Sequence, residues 1–140
     1  MLDEQRVQWM LQNMRRCPIY NTFRIMGKKF TPLIIRNMIL YGHKRFNQFL
    51  EIEGINSKIL SARLKEMEKD FLIKREVFNE TPVRIEYSLT EKGTALERIL
   101  NQMAAFSMEY RAKEVFKDGK PREFEEVYGY RVSGSGIYRG

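Results

Sequence analysis

Between His43 and Thr90 the chain carries a pattern that few folds can absorb: two short amphipathic helices almost touching, followed by two strand-like runs. Phe46, Phe49 and Leu50 recur at helical spacing and stop at Gly54, a residue that accepts the positive φ needed to end a helix. Ser57 is a good N-cap. Beyond it Leu60, Leu64 and Met67 follow at i, i+4 and i+7, so a second amphipathic helix is predicted almost at once. Two helices joined that tightly form a helix-turn-helix. Leu72 to Phe78 and Val83 to Leu89 then read as strands, joined by Asn79-Glu80-Thr81-Pro82. The second alternates Val83, Ile85, Tyr87 and Leu89 against Arg84, Glu86 and Ser88. Helix, turn, helix and hairpin predict a winged helix.

At roughly 100° per residue, Lys58, Ser61, Ala62, Lys65 and Lys69 fall opposite Leu60, Leu64 and Met67. That face has no bulky apolar residue. It suits a DNA major groove: Asn56, Ser57 and Ser61 offer polar groups to base edges, the Ala62 methyl matches a thymine methyl, and the lysines reach phosphates or guanine. Any solvated helix could present the same face, so it is the hairpin after it that turns the reading towards DNA.

A chain of 140 residues with 43% hydrophobic and 31% charged side chains is one globular domain's worth. No apolar run approaches a membrane span and the first residues lack a signal-peptide pattern, so a cytoplasmic protein with no membrane partner is expected. A single cysteine fits a reducing compartment. The net charge of +7 favours a polyanionic partner, yet the excess is N-terminal: residues 1 to 42 carry seven basic and two acidic side chains, residues 43 to 90 nine and eight. Arg24, Lys28 and Lys29, with Arg15 and Arg16, are therefore expected to add phosphate contacts, while Glu66, Glu76 and Glu86 should point elsewhere. One histidine and one cysteine far apart give neither metal-ligand spacing nor a nucleophile and base, and no glycine loop cradles phosphate. The expectation is no enzyme, no metal and no cofactor. His43 reads as a surface residue and the methionines as core filler.

In chain order, Leu2, Val7, Met10, Leu11 and Met14 predict a helix to about Arg16, with Trp9 beside the stripe and Cys17-Pro18 ending it. A short helix from about Asn21 to Met26 follows. Thr31-Pro32 reads as an N-cap and first residue of an apolar core helix, Leu33 to Leu40, and Lys44-Arg45-Phe46 as a short third strand against the wing. After Gly93, Leu96, Ile99, Met103, Phe106 and Tyr110 alternate by three and four, a heptad-like seam read as half of a dimer interface, with the N-terminal helix and Trp9 as the other half. The division expected is 1-117, a winged helix-turn-helix with terminal dimerisation helices, and 118-140, a flexible C-terminal tail. The overall class is α+β, mostly α, with a two- to three-stranded wing sheet.

With these residues in place the chain resembles the HxlR-type winged helix-turn-helix regulators from about Cys17 to about Ala105. The matching elements are Cys17-Pro18, Ile25-Met-Gly-Lys-Lys-Phe30, Arg45-Phe-Asn47, Gly54-Ile-Asn-Ser-Lys-Ile-Leu60, Arg63-Leu-Lys-Glu-Met67 and Arg84-Ile-Glu-Tyr-Ser-Leu-Thr90 with Gly93. Phe30 replaces a usual tryptophan, Phe71 a usual helix-ending glycine, and Thr81-Pro82-Val83 a usual double proline. Because phenylalanine adopts φ > 0 at a cost, the recognition helix is expected to end differently or one residue away.

The resemblance implies a small homodimeric, sequence-specific transcriptional regulator that binds double-stranded DNA at a near-palindromic operator. Asn56, Ser57, Lys58, Ser61, Ala62 and Lys65 would enter the major groove, Arg84 on the wing the minor groove or its phosphates, and Lys28 and Lys29 would clamp the backbone. In redox-responsive relatives a cysteine before this proline is the sensing thiol, which makes Cys17 the candidate for oxidant or electrophile sensing, with Arg15 and Arg16 expected to favour its thiolate. Nothing in the pattern specifies a small-molecule effector. The competing reading is a winged-helix protein-protein module without specific DNA binding, favoured by the near-neutral charge of residues 43 to 90.

Overall fold

The computed structural model describes residues 1–131. It contains helices α1 (Glu4–Asn13), α2 (Pro18–Met26), α3 (Thr31–Tyr41), α4 (Phe46–Phe49) and α5 (Ser57–Lys69), strands β1 (Ile73–Phe78) and β2 (Arg84–Leu89), then α6 (Glu91–Ala95), α7 (Glu97–Tyr110), α8 (Ala112–Val115) and α9 (Phe124–Tyr128). This is the expected mostly helical winged helix-turn-helix.

The core forms where the apolar stripes meet. Ile34 and Ile35 of α3, Phe49 of α4, Leu60, Leu64 and Met67 of α5, and Leu72 and Ile73 at the start of the wing are buried in one cluster. Each such side chain contributes about 1.5–3 kcal/mol of burial, enough for short helices that would not persist alone. Tyr87 closes the cluster from β2, its ring edge-on to Phe49 at 6.4 Å. Gly93 seats α6 against the wing: a Cβ there would lie 2.0 Å from the Leu72 carbonyl oxygen, so no other residue fits without moving the backbone.

Several boundaries differ from the sequence reading, each for a local reason. α1 stops at Asn13 with Met14 extended, and Pro18 opens α2 instead of closing α1, since a proline at N1 gives up no helical hydrogen bond. Phe30, in the left-handed region at φ 78, caps α3, so Thr31 is inside the helix. Asn56, not Ser57, caps α5: its side-chain oxygen accepts from the Ile59 N–H at 2.8 Å. The sheet has two strands, not three, among the described residues. Gln48 Oε1 accepts from the Lys44 and Arg45 N–H groups at 2.8 and 2.9 Å and folds that stretch into α4, leaving one ladder-like bond, Tyr87 N–H to the Lys44 carbonyl at 2.7 Å.

Phe71 does not displace the end of the recognition helix. It adopts φ 59 itself. Its N–H bonds to the Glu68 carbonyl at 3.0 Å and that of Leu72 to the Met67 carbonyl at 2.9 Å, a complete Schellman motif built on phenylalanine. The Leu72 anchor in the core carries the strain, while the Phe71 ring stays exposed.

The stretch after residue 117, expected to be a flexible tail, folds back as far as Arg131. Phe124 is buried, its ring 4.7 Å from that of Tyr128 and 5.3 Å from that of Tyr130, and α9 packs on α7. Asp118 organises the turn: its carboxylate accepts the Lys120 N–H at 3.0 Å and both terminal nitrogens of Arg122, whose guanidinium lies 4.5 Å over the Phe116 ring. Residues 132–140 of the expected tail lie outside the described residues.

Candidate nucleic-acid interface

Burying Leu60, Leu64 and Met67 turns the opposite side of α5 to solvent: Ser57, Lys58, Ala62, Lys65 and Lys69 are exposed, with Ser61 half-buried at the margin. From Lys58 to Lys69 this face extends about 16 Å at 1.5 Å per residue, long enough to lie along a major groove. Asn56 is exposed too, but its oxygen is committed to the cap, so only its amide nitrogen is free to donate outward.

Lys28 and Lys29 reach the same neighbourhood through the loop before α3. Arg63 Nε donates to the Lys29 carbonyl at 2.8 Å and pins that loop to the flank of α5. Lys28 Nζ lies 3.2 Å from Glu66 Oε2, and the Lys29 ammonium sits 5.1 Å from the Phe30 ring centre. Sequence periodicity could not have singled out Arg63, because its partner is a backbone carbonyl 34 positions away.

Arg84 is not a free wing-tip side chain. It stacks 4.3 Å over Phe78, pairs with Glu80 at 3.2 Å and lies 3.7 Å from Glu86 Oε1. The same Glu86 oxygen is 3.5 Å from Lys44 Nζ and 4.0 Å from Arg45 Nη2. Glu86 faces Glu76 directly across the ladder, an unfavourable pairing that these cations and the Lys74–Glu76 contact at 3.6 Å offset. The acids of the wing are thus consumed internally, and Lys44 and Arg45, absent from the sequence-level candidates, join the basic surface beside Arg84. On β1, exposed Arg75 has no ion-pair partner among the described residues.

His43 is not the surface residue expected. Its side chain is 14% exposed, 3.9 Å from Glu51 and 5.5 Å from the Tyr41 ring, with Nδ1 buried and unpartnered. Among the described residues no cluster of histidine, cysteine, aspartate or glutamate could hold a metal ion. None of the described helices is long and apolar enough to cross a membrane.

The seam residues split. Leu96 belongs to the core, 9% exposed, because the turn between α6 and α7 points it inward. Ile99, Met103, Phe106 and Tyr110 are 41, 51, 59 and 70% exposed along one face of α7. α1 buries nothing, and Trp9 is 61% exposed. Between α2, the start of α3 and α7 lies an open apolar cavity of about 660 Å³, lined by Ile19, Phe23, Leu33, Ile99 and Met103 among others. Cys17 is exposed at the N-cap of α2, beside this cavity's Pro18.

A helix-turn-helix whose second helix bares lysines, followed by a two-stranded hairpin that presents Arg75 and Arg84, defines a winged-helix protein with a nucleic-acid-binding face. The chain belongs to the HxlR-like helix-turn-helix family, whose model matches residues 25–115. It is 41% identical over 96 residues to the HTH-type transcriptional regulator YodB of Bacillus subtilis, covering 67% of this chain and 85% of YodB. The structure of reduced YodB superimposes with a TM-score of 0.59 at 39% identity, over 68% of this chain and 94% of that one. The redox regulator HypR in its reduced form gives 0.64 at 35% identity, over 71% of this chain and all of HypR.

Proposed function

We propose that this protein is a homodimeric transcriptional regulator that reads duplex DNA with α5 and works in the cytoplasm. The observation that carries the reading is the two-sided α5: Leu60, Leu64 and Met67 locked in the core, and Lys58, Ala62 and Lys65 held outward on a rigid helix. Asn56, Ser57 and Ser61 add hydrogen-bonding groups at its N-terminal half, Lys28 and Lys29 contact the phosphate backbone, and Arg84 exchanges Glu80 for a phosphate at the minor groove.

Dimerisation is supported by the uncovered seam of α7 and by α1, which has no buried residue in the single subunit. An apolar surface that large on one chain calls for a second copy. Two α5 helices related by a twofold axis then meet half-sites about 34 to 36 Å apart, or a multiple, on a near-palindromic operator. The test is sedimentation equilibrium on the wild type and on Met103→Glu with Phe106→Glu, together with selection of bound fragments from genomic DNA. A monomeric wild type, or no salt-dependent binding to any duplex, refutes the reading; the second result would instead favour a protein-protein module.

Regulation through Cys17 is the finer part of the proposal. Its exposure at the edge of the proposed dimer surface, and the redox forms in which YodB and HypR were solved, support it. As the single cysteine, Cys17 can form a disulfide only with the partner's copy or with a small thiol, two thiols losing two electrons and two protons to an oxidant such as diamide. Diamide should change the mobility of the wild-type DNA complex and leave Cys17→Ser unaffected; equal behaviour of the two proteins removes the sensor.

A further inference from the structure

We propose that α1 of each subunit docks by its apolar stripe into the groove between α2, α3 and α7 of a second copy, so that the two subunits exchange their N-terminal helices; this rests on the homodimer reading above. α1 lies ahead of residues 25–115, the segment shared with the family, so its role is this chain's own. Val7, Met10 and Leu11, with the C-cap Met14, form one side of it at three- and four-residue spacing. Every residue of α1 is exposed in the single subunit. A ten-residue helix is marginal in water, and the Asp3 cap contributes only about 1 kcal/mol, so the stripe needs a cover.

Charge, connection and area point to a second copy as that cover. Residues 1–14 carry two acids, Asp3 and Glu4, against one base, Arg6, and the side opposite the stripe is Gln5, Gln8 and Gln12. Neither a phosphate backbone nor an anionic membrane surface attracts such a helix. Its own groove is not covered by it: no α1 residue lines the cavity of about 660 Å³, and Met14 and Cys17, both extended, hold α1 off α2. The groove is open and apolar, with Ile19 and Phe23 exposed, a shape that takes one face of a helix and leaves the other in water. The exposed seam of α7 from Ile99 to Tyr110 amounts to roughly 500 Å², whereas a stable interface buries about 800 Å² per partner. α1 and the groove supply the shortfall, and they continue the seam without a break, because Ile99 and Met103 belong to both.

Sedimentation equilibrium of full-length variants under reducing conditions tests the contact. Met10→Gln with Leu11→Gln and, separately, Ile19→Gln with Phe23→Gln should each weaken dimerisation at least tenfold. All four changes together should weaken it no more than threefold beyond the groove pair, because both pairs remove the same contact. Full multiplication of the two losses, or a smaller loss from the α1 pair, overturns the exchange while a dimer held by α7 stands; a monomeric wild type ends both readings. A tryptophan reporter separates the partner's groove from the subunit's own. With Trp9→Phe and Leu11→Trp, emission should be blue-shifted in the dimer and move to the red on dilution to the monomer. A blue shift that persists in the monomer puts α1 in its own groove, and red emission at every concentration leaves it in water; either result overturns the proposal. If thermal melts show that the groove pair does not fold, the α1 pair and the reporter decide.

Discussion

Lys28 and Glu66 meet with Nζ 3.2 Å from Oε2, so a cation offered by the loop before α3 is already partnered by an acid on the recognition helix. Arg63 approaches the same oxygen at 3.5 Å. The Lys28 and Glu66 side chains are 44 and 38% exposed, and pairs in such positions contribute at most about 1 kcal/mol. A DNA phosphate can therefore compete for Lys28. Glu66 holds Lys28 beside α5, where the proposed reading has Lys28 meet a DNA phosphate.

Glu66→Gln should remove that competition. Affinity for a duplex of arbitrary sequence is expected to rise about threefold at low salt, with the advantage shrinking as salt screens the charges. Filter binding over a salt series measures both. An unchanged affinity would put Lys28 off the path of the DNA.

Lys58 and Lys65 stand on the exposed face of α5 without an ion-pair partner among the described residues, so their loss leaves no acid stranded. Lys58→Ala is expected to cost about 1–3 kcal/mol on the selected operator if it reads a base, with little change on a scrambled duplex. If it contacts only phosphate, both duplexes weaken together and the salt slope falls by about one. Fluorescence anisotropy on the two duplexes separates these results.

Phe71 holds a left-handed conformation at φ 59 with its ring in solvent, so the backbone bears a cost that no core contact of the side chain repays. Phe71→Gly should relieve about 1–2 kcal/mol of local strain and forfeit part of it to the greater freedom of glycine in the unfolded chain. A net gain of about 0.5–1 kcal/mol in urea unfolding is expected. A loss instead would mean that the phenylalanine ring makes a contact in solution that stabilises the fold.

Asp118 has its carboxyl held down at about 2, first by the hydrogen bonds from Arg122 and then by the Lys120 N–H. A depressed folded value means the stabilising contribution is complete above the ordinary carboxylate range and disappears as pH falls from about 4 towards 2. Carboxyl-carbon NMR should show Asp118 titrating below the other acids, and Arg122→Gln should return it towards about 3.9. If Asp118 titrates normally in the wild type, the turn leading into α9 is not anchored this way.

What could be read from the chain follows from the range of the forces involved. Leu60, Leu64 and Met67 declare a helix face by spacing alone, and whatever lies opposite them must be exposed; Lys58, Ala62 and Lys65 were legible for that reason. Alternation in β2 and the turn before it likewise announce the wing. Spacing does not say which members of a stripe are covered. Leu96 and Ile99 share one periodicity, yet one is in the core and the other outside, because a turn between α6 and α7 redirects the chain.

Tertiary structure alone decided the rest. Gathering Lys44, Arg45 and Arg84 around one Glu86 oxygen requires the chain on both sides of α5 to converge, and such charge pairing has no sequence period. Phe124 looked like part of a frayed end because five helical residues among glycines and charges cannot hold themselves; contact with α7 does it for them. Local periodicity determined which elements form and which way α5 faces, since those follow from backbone geometry and burial over a few residues. Packing between distant segments determined which charges remain available, where the recognition helix ends and whether α9 stays folded, since each depends on atoms that only folding brings within reach.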